Sequence, residues 1–394
     1  MSVAKMTDAL GWSASRSWFL VCVYCAWETI ALTLSTLYSF AQPVIQERYS
    51  VPNVQIVALG QSMQIFGNMF GVALLSPISC GTFATVPIQG TAYAPNLPTL
   101  IFFMFMSGVA WSTSLSLVPA AFSDLYLHRD DIGQPIALFV IGASVGPSIG
   151  GVVATAMLNA DADLKWYFLV TVIVSGACAV PMLFVPETLP PKGMRDGRGR
   201  NGNPLHTPVA QLQDGAATIP SIDRRNAQSG IWYLTRVWVL LATEPIIWIT
   251  GVYNGLANGV FVLTVVGSIT TLADFKGLPL MDAASSLIFA CIGVVLVWFV
   301  MPFQTRLYRE DKAEHKGRAL PESRLLLLRD VLWIFPVALF WSAFTGDAQY
   351  NKWHQSVSCG LVAFTDSFLY QCLLIYILGE WFYSPVSNLR AHGH

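Results

Sequence analysis

Long apolar runs alternate with polar stretches along the whole chain. An apolar run of about 20 residues can cross the ~30 Å hydrocarbon layer of a bilayer as a helix. The pattern therefore predicts an all-α polytopic membrane protein with about ten transmembrane helices. The predicted spans are Trp18–Phe40, Val54–Leu75, Ile78–Ala94, Leu97–Ala121, Ile136–Leu158, Trp166–Val185, Pro245–Thr270, Ala283–Gln304, Val331–Thr345 and Val357–Leu378.

Basic residues divide unevenly between the two sides of this predicted topology. If the N-terminus lies in the cytosol, every lysine and arginine falls on the cytosolic side except Arg48, Lys165, Lys276 and Lys352. Cytosolic loops of membrane proteins carry an excess of such residues. We therefore expect a multi-pass protein of the cell membrane, with a cytosolic N-terminus and an even number of spans.

The longest polar stretch divides the predicted spans into six and four. It is rich in Gly, Pro, Arg and Asn, a composition typical of disordered linkers. We expect a cytosolic N-terminus over 1–17, a six-helix bundle over 18–188, a disordered linker over 189–235 and an incomplete bundle of about four helices over 236–394. Two bundles joined by a flexible linker are typical of secondary transporters.

Composition excludes several classes of protein. Only 11% of the residues are charged, against about 25% in an average soluble domain. The net charge of −1 argues against a nucleic-acid partner. The cysteines, including the Cys22-x-x-Cys25 pair, are interpreted as small apolar filler because nearly all lie in apolar runs. We expect no cofactor, no metal site and no enzymatic activity.

The stretch "GASVGPSIGG" places glycines and a proline inside the fifth predicted span. Gly142, Gly146 and Gly150 are four residues apart and so share one face of a helix. Small residues at this spacing let a neighbouring helix approach closely in a bilayer. Pro147 removes one backbone donor and kinks the helix. The pattern predicts a helix packed tightly against a neighbour.

A longer pattern surrounds this stretch and resembles a known motif. From Gly133 the chain reads G-x8-G-x3-G-P-x2-G-G, through Gly142, Gly146, Pro147, Gly150 and Gly151. This resembles the antiporter motif of the fifth span in drug:proton antiporters of the major facilitator superfamily. Five further stretches resemble the fungal twelve-span multidrug branch in the same order: "APNLPTLIFFMFMSG", "LKW", "VPET", "TEPI" and "PESRL".

The resemblance implies an efflux pump with a two-bundle fold. Such a secondary active transporter exports hydrophobic small molecules, such as drugs, toxins or secondary metabolites, by proton antiport and alternating access. The sequence differs from the family's pattern in three ways. The family's gating loop between spans two and three has no counterpart after Leu74–Ser79, Met104 stands where the family has an arginine, and the last two spans are expected to be missing. A truncated, non-transporting relict is therefore an alternative.

Two carboxyl groups, those of Glu28 and Asp366, fall well inside predicted spans. A charge at the bilayer centre costs at least about 2.5–3.5 kcal/mol, so such a group normally faces a cavity or a partner. A buried carboxyl can also exist protonated. We predict that both residues couple proton and substrate binding; the alternative is a protonated carboxyl hydrogen-bonded to a neighbour.

A substrate cavity of drug size is mostly apolar and aromatic, with a few polar groups. The candidate lining residues are Trp27, Gln61, Gln64, Tyr253, Asn254, Tyr370 and Gln371. Each polar one can equally serve an interhelical hydrogen bond. The expected partners are a small-molecule substrate, protons and the lipid bilayer, bound by a monomer.

Two other functions compete with drug export. Two buried carboxylates would suit a polyamine or another organic cation as substrate. A receptor or an intramembrane enzyme is the remaining class, and it is disfavoured by the even span count, the cytosolic N-terminus and the missing clusters of His or Asp at metal-ligand spacing.

Overall fold

The computed structural model describes residues 14–75, 90–125, 132–183, 238, 242, 244–315, 321–347 and 349–380. These residues form helices and turns, and no strand occurs among them. Five long helices come from the first half of the chain: α1 Ala14–Tyr49, α2 Val54–Leu75, α3 Leu97–Leu125, α4 Gly133–Asn159 and α5 Leu164–Leu183.

The second half continues with six helices and two short irregular turns. The helices are α6 Pro245–Thr270, α7 Leu280–Ala283, α8 Ser285–Glu314, α9 Leu326–Val331, α10 Ile334–Phe344 and α11 Lys352–Glu380. A π-helical turn, Thr271–Phe275, extends α6, and a 3-10 turn, Pro321–Leu325, precedes α9.

The all-α membrane fold is confirmed. By length and composition, seven helical stretches among the described residues can cross a membrane, and Leu97–Ser112 of α3 is a shorter apolar helix. The ninth predicted span, Val331–Thr345, corresponds to α10. Together with the short helical turns before it, α10 forms one apolar stretch, Glu322–Phe344. Most of the third predicted span, the predicted linker 189–235 and the ends 1–13 and 381–394 lie outside the described residues.

Five of these helices contain an internal proline and still continue through it. In hydrocarbon no water can bond an exposed peptide group, so helices predominate and neighbouring helices satisfy the groups that a proline frees. The prolines are Pro43, Pro119, Pro147, Pro181 and Pro302.

Helices of the first half pack mainly on each other. α4 lies along α1, α2 lies along α3, and α5 also contacts α1. Their shared core is built around Tyr38, Leu100 and Phe168, which are fully buried. The hydroxyl of Tyr38 donates a hydrogen bond of 2.8 Å to the carbonyl oxygen of Val57, which ties α1 to α2.

The helices of the second half pack mainly around α11. α8, α10 and α6 each lie along it, and their core includes Val294, Ala338 and Val362. The hydrogen bonds between α6 and α11 show that the two helices run antiparallel. Gln355, early in α11, donates to Ser268, late in α6, whereas Asn258 donates to Asp366 further along α11.

α4 joins the two groups of helices because it contacts both α1 and α8. A Cβ atom placed on Gly133 would lie 3.1 Å from the methyl carbon of Met301 in α8, and one on Gly151 would lie 2.6 Å from Leu287. α4 therefore follows α8 over most of its length. The bundle limits predicted from the sequence stay a prediction.

Candidate functional site

The glycine stripe of α4 faces α1. A Cβ atom placed on Gly146 would lie 2.5 Å from the carbonyl oxygen of Thr29, and one on Gly150 would lie 2.7 Å from that of Thr33. At Gly142 the corresponding distance to the Cys25 carbonyl oxygen is 2.9 Å. Any side chain would collide with backbone, so only glycine permits this contact.

A hydroxyl group bridges the two backbones at the centre of this seam. Oγ1 of Thr33 lies 3.0 Å from the carbonyl oxygen of Gly146 and 2.8 Å from that of Thr29 in its own helix. The residue after Gly146 is Pro147, where the backbone donor is missing. The seam therefore combines close packing with a polar contact beside the proline.

Glu28 lies on α1 beside this seam and is only 1% exposed. Cys25, one turn before Glu28 on α1, and Phe368 and Cys372, on either side of Tyr370 on α11, belong to one buried cluster. The structure thus brings two residues predicted separately, one from each half of the chain, to one place between the helices.

Asp366 lies one helical turn before Tyr370 on α11 and is 2% exposed. Its Oδ2 atom accepts a hydrogen bond of 3.4 Å from Nδ2 of Asn258 on α6. Its Oδ1 atom is buried and has no hydrogen-bond partner. An ionised carboxylate can accept several hydrogen bonds, so this group has unused capacity for a donor.

The antiparallel arrangement of α6 and α11 extends the polar site by one turn. Asn254 precedes Asn258 by one turn of α6, and Tyr370 follows Asp366 by one turn of α11, so each pair shares a helix face. Oδ1 of Asn254 is also buried without a hydrogen-bond partner. We call Glu28, Asn254, Asn258, Asp366 and Tyr370 the central polar layer.

Asn258 is the member of this layer that the sequence reasoning missed. An available signal was its spacing from Asn254, since two amides one turn apart mark one face of an otherwise apolar helix. What the sequence could not supply was the partner, because nothing in it aligns residue 258 with residue 366.

The remaining predicted lining residues lie elsewhere. Trp27 packs on Trp111 of α3 with ring centroids 4.9 Å apart, and Gln61 donates to the hydroxyl oxygen of Ser35. Gln64 is buried on α2 with its Oε1 atom unpartnered. Tyr253 points outward and is 44% exposed.

Gln371 forms a contact between the two groups of helices. Its Nε2 atom donates a hydrogen bond of 3.2 Å to the carbonyl oxygen of Gly133, the first residue of α4. Beside it, a small cavity is lined by Met301, Gln304 and Cys372. The site of Gln371 is therefore a junction between helices.

Basic side chains are few on the described helices that pack around Asp366. In their described length, α4, α6 and α10 carry no lysine or arginine, and the basic residues of α8 begin at Arg306, near its end. Among the described residues no group of three or more His, Cys, Asp or Glu side chains could hold a metal ion. The arrangement can bind protons or a cation.

Membrane-spanning helices in two groups, with carboxyl groups buried among them, are typical of membrane transport proteins. The sequence matches the Major Facilitator Superfamily over residues 22–382. The chain therefore belongs to this superfamily of transporters.

Known proteins similar to the chain include two fungal transporters. The "Vitamin B6 transporter bsu1" of Schizosaccharomyces pombe is 27% identical, over 94% of this chain and 70% of that protein. The "Probable drug/proton antiporter YHK8" of Saccharomyces cerevisiae is 24% identical, over 84% of this chain and 66% of that protein.

A solved structure shares the fold. The xylose transporter XylE from E. coli, in a partially occluded inward-open conformation, superposes with a TM-score of 0.55 and 12% sequence identity. The match covers 93% of this chain and 85% of XylE. At this identity the likeness concerns the fold alone.

Proposed function

We propose that the protein exports hydrophobic small molecules by proton antiport, as a monomer in the cell membrane with a cytosolic N-terminus. The observation that carries the proposal is the burial of Glu28 and Asp366 in membrane-spanning helices. The similarity to the "Probable drug/proton antiporter YHK8" supports the coupling to protons.

The chemistry of coupling follows from the cost of a buried charge. A carboxylate in a membrane helix needs a proton or a cationic partner, since an uncompensated charge there costs several kcal/mol. A group that takes either a proton or the substrate exchanges one for the other as the site turns from one side of the membrane to the other. Glu28 and Asp366 are the groups that can do this.

The α1–α4 seam and the α4–α8 contact supply the mechanical part of the proposal. Alternating access in two-bundle transporters is largely rigid-body rocking of one bundle against the other. α4 is fixed to α1 by its glycine stripe and faces α8 through Gly133 and Gly151. In this proposal α1 and α4 move as one body across α8.

Replacement of Glu28 tests the coupling. We expect Glu28→Gln to lower proton-driven efflux of the dye rhodamine 6G from reconstituted vesicles at least about tenfold, because the amide cannot release a proton. Energy-independent exchange of the dye should continue. Glu47→Gln, on the exposed end of the same helix, is the matched control and should transport normally. Unchanged proton-driven efflux in Glu28→Gln would refute the proposal.

A second candidate substrate class is a polyamine or other organic cation, which the pair of buried carboxyl groups favours. A competition assay distinguishes a hydrophobic substrate from an organic cation. If spermidine inhibits dye efflux at concentrations well below those of a neutral hydrophobic competitor, the cation is the better substrate. The vitamin B6 transporter among the relatives makes pyridoxine a useful third competitor.

A further inference from the structure

We propose that Asp366, Asn254 and Asn258 form a binding site for a primary ammonium group of the substrate. The inference deepens the proposed function, on which it rests for the role of the site in transport. It assigns the charged end of the ligand to a particular place between α6 and α11, and it gives Asn258 a positioning role that the sequence did not indicate.

The unpartnered atoms of the site are both oxygen atoms. Oδ1 of Asp366 and Oδ1 of Asn254 are buried without a hydrogen-bond partner. Buried polar atoms in folded proteins are nearly always hydrogen-bonded, so each unpartnered atom points to a missing group. A ligand that donates hydrogen bonds would satisfy both of these acceptors.

Asn258 fixes which oxygen atom of Asp366 is available. Its Nδ2 atom lies 3.4 Å from Oδ2 of Asp366, so that oxygen already has a donor. Oδ1 is left for the ligand, and Asn254 lies one turn before Asn258 on the same face of α6. Asn258 thus holds the carboxyl group while Asn254 adds a second acceptor.

Among the described residues, no lysine or arginine forms a salt bridge with this carboxyl group. α4, α6 and α10, which all contact α11, contain no lysine or arginine in their described length. The other elements packed on α11 include α8, whose basic residues begin at Arg306, and the turn before α9, which carries Arg324. A buried carboxylate without a counter-charge is costly, and a bound cation offsets that cost. Within the described part of the chain this carboxyl group lacks a counter-charge, which a proton or a cationic ligand from outside would supply.

An ammonium group fits this donor set better than a metal ion does. Ca²⁺ takes six to eight oxygen ligands and Mg²⁺ an octahedron, whereas the site offers two unpartnered oxygen atoms. An ammonium group carries three N–H donors on one compact charge. Asn258, Gly255 and Gly259 are exposed on α6, so no other described helix covers this approach to Asp366.

Three probes with the same phenylethyl skeleton separate charge from hydrogen bonding. 2-Phenylethylamine carries both charge and N–H donors at neutral pH, its N,N,N-trimethyl derivative keeps the charge without donors, and 2-phenylethanol keeps a donor without charge. Binding of each is measured on the detergent-purified full chain by displacement of tritiated 2-phenylethylamine. We expect the primary amine to bind at least about tenfold more tightly than either analogue.

Variants of the site test which residues cause the preference for the primary amine. Asp366→Asn should remove it, and Asn254→Leu should weaken amine binding severalfold while leaving 2-phenylethanol unaffected. Asp161→Asn is the matched control, since Asp161 lies in an exposed turn with φ of +48°, a conformation that asparagine adopts readily. It should bind as the unmodified protein does.

Two results would overturn the inference: equal binding of the primary and trimethylated amines, or an amine preference that survives in both Asp366→Asn and Asn254→Leu. Neither depends on transport, because binding is measured without a proton gradient. Proton-driven efflux that disappears in Glu28→Gln, together with amine binding that ignores Asp366, would leave the proposed function standing and remove the ammonium site alone.

Discussion

Glycine residues with the same four-residue spacing have opposite surroundings in this molecule. Gly142, Gly146 and Gly150 of α4 meet the backbone of α1, whereas a Cβ atom placed on Gly251, Gly255 or Gly259 of α6 would meet nothing within 4 Å. The spacing alone does not distinguish these two cases. The difference allows a direct test at single positions.

We expect Gly146→Ala to destabilise the protein and Gly255→Ala not to. The new methyl group at position 146 must push α1 away from α4, at a cost of about 1–3 kcal/mol as in other overpacked sites. At position 255 the methyl group meets open space. Thermal unfolding in detergent compares the two variants. Equal loss of stability would show that α6 is as closely packed as α4.

At the same scale, the sequence predicted the burial of the two carboxyl groups but not the neighbours of the candidate lining residues. The buried carboxyl groups stand out because charges are rare in apolar runs. Trp27 and Tyr253 were both candidate lining residues, but one packs on Trp111 and the other points outward. Side-chain direction depends on which helices surround a span, and hydrophobicity within a span carries little of that information.

At the scale of helices, the apolar pattern predicted the elements well and their pairing poorly. Span ends such as Val54–Leu75 and Pro245–Thr270 coincide with helix ends, because in lipid a long apolar run has few alternatives to a helix. The stripe in α4 predicted a closely packed neighbour. That the neighbour is α1 depends on contacts between distant segments, which no local pattern encodes.

The hydroxyl contact between α1 and α4 gives a prediction for the helix pair. Thr33→Val keeps the shape of the side chain but removes the bond to the Gly146 carbonyl oxygen, and should cost about 1 kcal/mol. Thr36→Val is the control, since that hydroxyl bonds only to Leu32 in its own helix. Unfolding titrations in mixed micelles measure both. A larger loss for Thr36→Val would contradict the assignment.

At the scale of the whole molecule, Gln371 connects the two groups of helices where α4 begins. We expect Gln371→Leu to loosen this end, because it removes the hydrogen bond to the Gly133 carbonyl oxygen. Cys372 is buried beside that contact, so its alkylation by a maleimide should become severalfold faster. Mass spectrometry of the labelled peptides measures the rate.

Cys359 is the internal control for this experiment. It is fully buried on the same helix, against Ala290 and Val294, and its labelling should stay slow in Gln371→Leu. Equal acceleration at Cys359 and Cys372 would indicate general unfolding. No acceleration at Cys372 would show that Gln371 does not hold the two groups together.

The contacts of α4 with α8 at Gly133 and Gly151 also determine how far a tilt between the two helices separates their ends. The two glycines lie eighteen positions apart in the helix, which is ~27 Å along the axis. If α4 and α8 pivot at one of these contacts, a rotation of about 20° separates the two helices at the other contact by ~10 Å, given the same axial rise. That gap admits a molecule with one or two rings, so a modest tilt is enough to load or empty a carrier of this size.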